Sequence, residues 1–330
     1  MSENIKTKVP RKYVLSTYEK ILSQAKDDIV RISLELSYPE WFVRKISKFF
    51  RLKELRNLLI ELDRERIWIR VNMLKADSDQ VIKLLEEDGC YVERDRQFPY
   101  LLRILQSNKP ISELKVIKNG MAIKQDKASV LSASIILPKD NELILDACAA
   151  PGIKTSLIAQ LSGNRARIIA VDISKKRIQQ MKMLMNKLGV GNLDLILSDS
   201  RVINFERKFS KSIVDAPCTS SGAICSDPAI KIHLKNPNKV QYYQKLQKLI
   251  LENISKFSSQ VVFVTCSLLP DEGEEVAEWI VRKEDLKVLD VNRELSPGYK
   301  GYDNSELFGR TFPHIHQTEA FFIAKFVRSL

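Results

Sequence analysis

An apolar run that stops on an acid, crosses a loop of small residues and enters a helix-forming pattern is the most restrictive stretch of this chain. Residues 142–155 read ELILDACAAPGIKT. Leu143 to Leu145 ending on Asp146 is how a buried parallel strand reads where it leaves its sheet. Ala147, Ala149, Ala150, Pro151 and Gly152 follow, and the helical pattern runs from Ile153 to Leu161. Such a strand, loop and helix commit the chain to an open α/β sheet. They also turn backbone N–H groups and the positive end of a helix toward the place where these sheets bind nucleotide-like ligands.

The loop has neither G-x-G-x-x-G nor G-x-x-x-x-G-K-[ST], so the dinucleotide and Walker fingerprints are both missing. The next apolar run, Arg167 to Val171, ends on Asp172, about 20 residues downstream, where such folds place a carboxylate on a ribose diol. A third, Leu193 to Leu197, ends in Ser198-Asp199. Acids at three successive strand ends suit a neutral adenosine with free hydroxyls and repel a pyrophosphate. S-adenosylmethionine fits that description; NAD fits it poorly, which sets a nicotinamide oxidoreductase aside.

Around this stretch the chain alternates β and α, with strands near 143, 168, 194, 212 and 261 and helices near 153–162, 174–188, 239–257 and 272–283. That alternation predicts a parallel sheet with helices on both sides. Val288 to Asn292 and Thr318 to Val327 add two strands, the last one antiparallel. Upstream, Lys12 to Leu36 has helical spacing, and a second helix starts at Pro39 or Glu40. Trp41 and Phe42 read as packing residues, and Arg44, Lys45, Lys48, Arg51, Lys53 and Arg56 either form a solvated helix face or touch RNA. From Arg66 the pattern becomes a strand (IWIRVNML), a helix from Ser78 to Glu87, and short β-like pieces at Tyr91-Val92, Leu101 to Leu105 and Leu114 to Ile117. The expected organisation is a helical region at 1–62, a small α+β module at 63–120 and the sheet domain at 121–330.

Charge and cysteines narrow the setting. The formal net charge of +12 is spread over both halves, which fits a polyanionic partner or a generally basic surface. Cys90, Cys148, Cys218, Cys225 and Cys266 are odd in number and form no C-x-x-C. Neither a disulfide framework nor a zinc site is indicated, and a reducing cytoplasm is expected. No run of 18 apolar residues occurs, so no membrane span is expected.

Two of the cysteines lie where this architecture puts function. SIVDAP ends a strand in Asp215-Ala216-Pro217-Cys218, and VVFVTCS ends one in Thr265-Cys266-Ser267, both on the edge that carries the cofactor loop. A cysteine in a sheet is often only a small buried hydrophobe. Two at strand ends, one beside an Asp, suggest chemistry.

The motifs DACAAPGIKT, VDISKKRI, SDS, DAPCTSSG and TCSLLPDEGEE occur in this order, with SYPEWFVRKI, RVN and QDKAS upstream and FPHIHQTEAFF at the close. The set resembles the RNA cytosine carbon-5 methyltransferases of the Nop/Sun type from about residue 37 onward. The resemblance implies a Rossmann-like S-adenosylmethionine-dependent methyltransferase sheet, preceded by a helical segment and a small α+β, RRM-like module that binds RNA. It implies methylation of a cytosine in structured RNA, with tRNA as the first choice and ribosomal RNA as the alternative. A non-catalytic RNA-binding or ribosome-assembly factor on the same fold is the rival; the presence of Cys266, Cys218 and Asp215 speaks against it.

Residue roles follow from the resemblance. Carbon 5 of cytosine is a weak nucleophile, and Cys266 would add to carbon 6 to turn the ring into an enamine. Asp215 would hydrogen-bond or protonate the ring nitrogen, held by Lys154, and Cys218 would assist release of Cys266. The implied cofactor contacts are Cys148, Ala149, Ala150, Pro151, Gly152, Ile153 and Lys154 of the loop. Asp172 would bind the ribose with Arg177 nearby, Asp199 would sit at the adenine, and Asp215 at the methionine end. The chain departs from the family pattern at Ile153, where a second Gly is usual, at Thr219-Ser220 for Ser-Gly, and at Ala320 for Gly. His314 and His316 read as loop-positioning or RNA-facing residues. No metal is implied, and a monomer is expected.

Overall fold

The strand Ile67–Val71 (β1) presents apolar groups on both of its faces, and the fold uses both. The computed structural model describes residues 19–20, 22–291 and 294–328. The chain divides into two compact units, one up to Ile60 and one from Glu61. In the first, helices Asp28–Leu36 and Glu40–Ile46 are separated by Ser37 in a left-handed conformation (φ 57°), and the Asp27 side chain caps the earlier one by accepting from Val30 N at 2.8 Å. Phe42, Val43 and Ile46 are buried. The start of the predicted helix at Lys12 falls outside the described residues.

In the second unit, β1, Cys90–Arg94 (β2), Leu101–Ser107 (β3) and Ala122–Lys124 (β4) form an antiparallel sheet in the order β2-β3-β1-β4. Helices Ser78–Glu87 and Lys115–Lys118 complete a βαββαβ unit. The predicted β-like piece Leu114 to Ile117 is helical instead. Buried Asp88 accepts from Lys115 N at 2.9 Å, and Leu114 and Val116 turn into the module's core, so one helical turn covers the sheet. The sheet's fourth strand is β4, which follows Asn119-Gly120. Ile69, Val71 and Leu102 face those two helices, whereas Trp68, Leu101 and Ile123 share a core with residues of the large sheet.

That large sheet has nine strands: Leu143–Asp146 (β5), Arg167–Asp172 (β6), Leu193–Leu197 (β7), Phe209–Asp215 (β8), Ser258–Thr265 (β9), Leu286–Leu289 (β10), Ser296–Pro297 (β11), Gly309–Arg310 (β12) and Phe322–Arg328 (β13). The order is β11-β12-β13-β9-β8-β5-β6-β7, with β10 paired to β13. Strands β5 to β9 are parallel, and β13 runs antiparallel beside β9, as the sequence predicted. The near-continuous apolar runs have a simple cause. Ile144, Ile168 and Val262 pack into one core and Leu145, Val261 and Phe263 into another on the opposite face, so each central strand is buried twice. Every parallel strand therefore ends at the same edge, and the acids and thiols singled out in the sequence arrive there together.

Candidate active site

The loop after β5 owes its shape to Gly152. Its φ is +98°, and a Cβ there would lie 2.7 Å from Met185 Cε and 2.9 Å from Met181 Cγ, so a side chain is excluded by backbone and neighbours alike. The helix Ile153–Leu161 starts at the next residue, where ordinary helical backbone accepts the isoleucine that replaces the family's second Gly. Gly152→Ala is expected to introduce about 1–3 kcal/mol of backbone strain and to weaken nucleoside binding about tenfold or more. Titration calorimetry with S-adenosylmethionine beside a thermal melt would register both; an unchanged affinity would mean the loop does not hold the ligand.

Asp172 braces this loop. Its Oδ2 accepts from Ala150 N at 3.1 Å and its Oδ1 from Ser174 N at 2.9 Å, while Arg177 lies 3.3 Å from Oδ2 and donates to Ala150 O. Asp146 is buried at the end of β5, where Oδ2 accepts from Thr155 Oγ1 at 2.6 Å. Asp146 Oδ1 has no partner among the described residues. Burial pushes this carboxyl up to about 7. Asp199, beyond β7, is occupied by Arg201 at 2.5 Å, and this pairing holds its carboxyl below the usual range.

A cavity of about 290 Å³ opens beside the loop. Asp146, Cys148 to Pro151, Ile153, Lys154 and Asp215 form one side of it. An orphaned buried carboxylate oxygen together with a side-chain-poor loop suits a ligand that brings an ammonium or hydroxyl donors, so the residues fit S-adenosylmethionine. Lys154 Nζ is 2.6 Å from Asp215 Oδ2 and lies over the Phe321 ring at 5.1 Å. Asp172, Arg177 and Asp199 do not line the cavity; the first two reach it through Ala150.

Cys218 Sγ and Cys266 Sγ are 3.2 Å apart. Cys218 lines a cleft next to the cavity, and Ser226 lines both. Cys266 is half-buried and lines neither; its sulfur touches that of Cys218, which lines the cleft. The two sulfurs differ in charge preference. A hydrogen bond with Cys218 pulls the Cys266 thiol down, with Ser220 and Lys154 helping, whereas the same contact and burial push Cys218 well up. The surroundings favour a thiolate on Cys266, and either sulfur can supply the S–H between them. Ser220, in the position where the family pattern has Gly, takes a left-handed φ of 58°.

Glu272 fixes the two thiol loops to each other. Fully buried, it accepts from Thr219 N at 2.8 Å and from Ser267 Oγ at 2.7 Å, the neighbours of Cys218 and Cys266. Sequence reasoning quoted its motif but gave it no role. Asp126, Ser226 and Glu319, which line the same cavity, were not among the residues expected from the sequence either. Asp126 and Glu319 lie in the QDKAS and FPHIHQTEAFF segments, neither of which reads as chemistry by itself, and Ser226 lies in no motif. His316 Nδ1 accepts from Phe312 N at 2.8 Å and so positions its loop. Among the described residues no cluster of His, Cys, Asp and Glu could hold a metal ion, and no helix is long and apolar enough to cross a membrane.

Residues 133–327 match the family described as 16S rRNA methyltransferase RsmB/F, and residues 38–111 match the ferredoxin-like domain described for RsmF/B-like methyltransferases. A 28S rRNA (cytosine-C(5))-methyltransferase of Mus musculus is 30% identical over 309 residues, covering 88% of this chain and 39% of the mouse protein. A probable ribosomal RNA small subunit methyltransferase B of Bacillus subtilis is 28% identical over 309 residues, covering 90% of this chain and 68% of its own length. Among solved structures, a methyltransferase homologue protein from Pyrococcus horikoshii superposes with a TM-score of 0.82 at 26% identity, covering 92% of this chain and 100% of the other.

Proposed function

Because the chain belongs to the RsmB/F family of 16S rRNA methyltransferases, we propose that it transfers a methyl group from S-adenosylmethionine to carbon 5 of a cytosine in RNA. The observation that carries this reading is the pair of sulfurs 3.2 Å apart at the ends of neighbouring strands, on the edge that bears the Gly152 loop. Methyl transfer to an oxygen or nitrogen needs no thiol; transfer to a pyrimidine carbon needs one to make the ring electron-rich.

S-adenosylmethionine would supply an electrophilic methyl, and the Cys148 to Lys154 loop would hold it, with Asp146 and Asp215 serving its methionine end and Asp172 its ribose. Arg177 secures the loop, and Asp199 would turn to the adenine. Cys266 adds to carbon 6 of the base, Asp215 hydrogen-bonds the base with Lys154 holding it in place, and Cys218 assists elimination of Cys266 as the carbon-5 proton passes to solvent water. A cytosine stacked in a helix cannot enter so recessed a site, so the base is presented unstacked.

The small module and the helical region are the proposed RNA grip. The module's free face is not available for base stacking of the kind RRM sheets use, because Trp68 and Arg70 are buried there: Arg70 donates to Ser156 Oγ at 2.7 Å and to Ile153 O at 3.2 Å. Contact would instead fall to the rim, where Arg94, Arg96, Arg103 and Lys127 line a cleft, and to exposed Lys48, Arg51 and Lys53. Relatives named for ribosomal RNA put that target ahead of the tRNA preferred from sequence. The chain spans 39% of the mouse relative, and the target is read from family and site rather than from that protein. Bisulfite sequencing of ribosomal RNA and tRNA incubated with the protein and S-adenosylmethionine tests the reading. A single protected cytosine in ribosomal RNA is expected; no protection in either RNA would refute the function.

A further inference from the structure

Asp126 and Glu319 lie 193 positions apart in sequence, are joined by a hydrogen bond from Glu319 N to Asp126 Oδ1, and both line the cavity that the cofactor loop borders. We propose, resting on the function above, that they form an edge that reads the Watson–Crick face of the target cytosine, with Asp126 accepting from the exocyclic amine and Glu319 donating to the ring nitrogen.

Burial pushes both carboxyls up, and the donors around them distinguish the two. Asp126 Oδ1 accepts from Ala128 N at 2.8 Å, from Glu319 N at 3.3 Å and from the Thr318 hydroxyl. Three donors to one oxygen favour the anion. Glu319 is 9% exposed and accepts only from the Ser226 hydroxyl, at Oε1. Two carboxyls in one low-dielectric site do not both ionise. The proton therefore resides on Glu319, which burial and the charge of Asp126 push up to about 8. Among the described residues no donor reaches Asp126 Oδ2 or Glu319 Oε2, so an acceptor and a donor remain for a ligand.

Cytosine offers an amine donor beside a ring-nitrogen acceptor, and that order matches an anionic Asp126 beside a protonated Glu319. Uracil offers the reverse order. The arrangement also supplies a proton donor besides Asp215, whose Oδ2 is paired with Lys154 Nζ at 2.6 Å. When Cys266 forms its bond to carbon 6, the carbon 5–carbon 6 π pair moves to carbon 4–carbon 5. The carbon 4–nitrogen 3 pair goes to nitrogen 3, which takes the Glu319 proton. That proton returns to Glu319 when the sulfur is eliminated.

The test uses the full chain, the RNA methylated by the wild type, and steady-state methylation from pH 6 to 9, with calorimetric titration of S-adenosylmethionine as the check that each variant is folded. Glu319→Ala is expected to lower kcat/KM about 100-fold or more, the usual loss for a positioned proton donor, with nucleoside affinity retained. Glu319→Gln keeps a hydrogen-bond donor without a transferable proton, so KM stays near wild type, kcat falls, and the decline of the wild-type rate above about pH 8 disappears. Asp126→Asn turns the acceptor into a donor and is expected to let an RNA with uridine at the target position compete. The charged or titratable groups acting on Glu319 are Asp126, Lys154 and Cys266, with Cys225 close by. Glu319→Ala with wild-type kcat/KM, or Glu319→Gln that keeps the alkaline decline, overturns the proposal. A wild type that methylates no cytosine removes the function, and this inference with it.

Discussion

Cys266→Ala is expected to abolish methylation, and Cys218→Ala to leave the protein bound covalently to its RNA. Both variants keep the fold, since a cysteine to alanine change at a half-buried site removes one sulfur and leaves a small gap. Their phenotypes differ because their proposed roles differ, Cys266 adding to the ring and Cys218 assisting its release, and the directions in which the two thiols are shifted agree with those roles. Without Cys266 the ring never becomes nucleophilic, and the rate should fall at least as far as the about 10⁴-fold that acid–base groups supply at their upper range. Without Cys218, addition and methyl transfer proceed but elimination stalls. A denaturing gel should then show a slower, nuclease-sensitive band for Cys218→Ala and none for Cys266→Ala or the double variant. Adduct in the Cys266→Ala lane would exchange the two roles.

The second large effect concerns stability. Arg310 and Glu274 are fully buried and joined by two hydrogen bonds of 2.6 Å, with the guanidinium 4.0 Å from the centre of the Tyr299 ring. Leaving one charge of such a pair alone in the interior costs about 3–5 kcal/mol, a large part of a domain's total of about 5–15 kcal/mol. Arg310→Met and Glu274→Leu are each expected to lose that much in urea denaturation, and the double variant to lose much less than the sum. Since Arg310 also donates to Ser267 O at 3.0 Å, the single variants should loosen the turn that carries Cys266. Additive losses would mean that the pair is not the source.

The parts of the site legible in sequence are those encoded next to a strand. Asp146, Asp172, Asp215 and the two thiols each follow an apolar run, and a parallel sheet gathers the ends of its strands at one edge. Glu272, Asp126 and Glu319 were not legible, because their partners lie far along the chain and their own neighbourhoods show no periodicity. The piece Leu114 to Ile117 misled for a related reason: four residues with two apolar side chains fit a strand or a helical turn equally well, and only the distant carboxylate of Asp88 decides between them. The two-residue strands β11 and β12 are too short to leave any pattern. Asp172, besides the ribose role expected of it, braces the loop, a use its sequence position does not reveal.

The guanidinium of Arg70 enters the first turn of the helix that begins the methyl-donor site, although it belongs to the ferredoxin-like sheet. A chimera given the small module of a relative would have to import a side chain of equal reach and donor number at that position, or the transplanted sheet would lose its grip on the helix. In this chain any RNA contact of the module is left to its loops and rims, because its inner face is already spoken for.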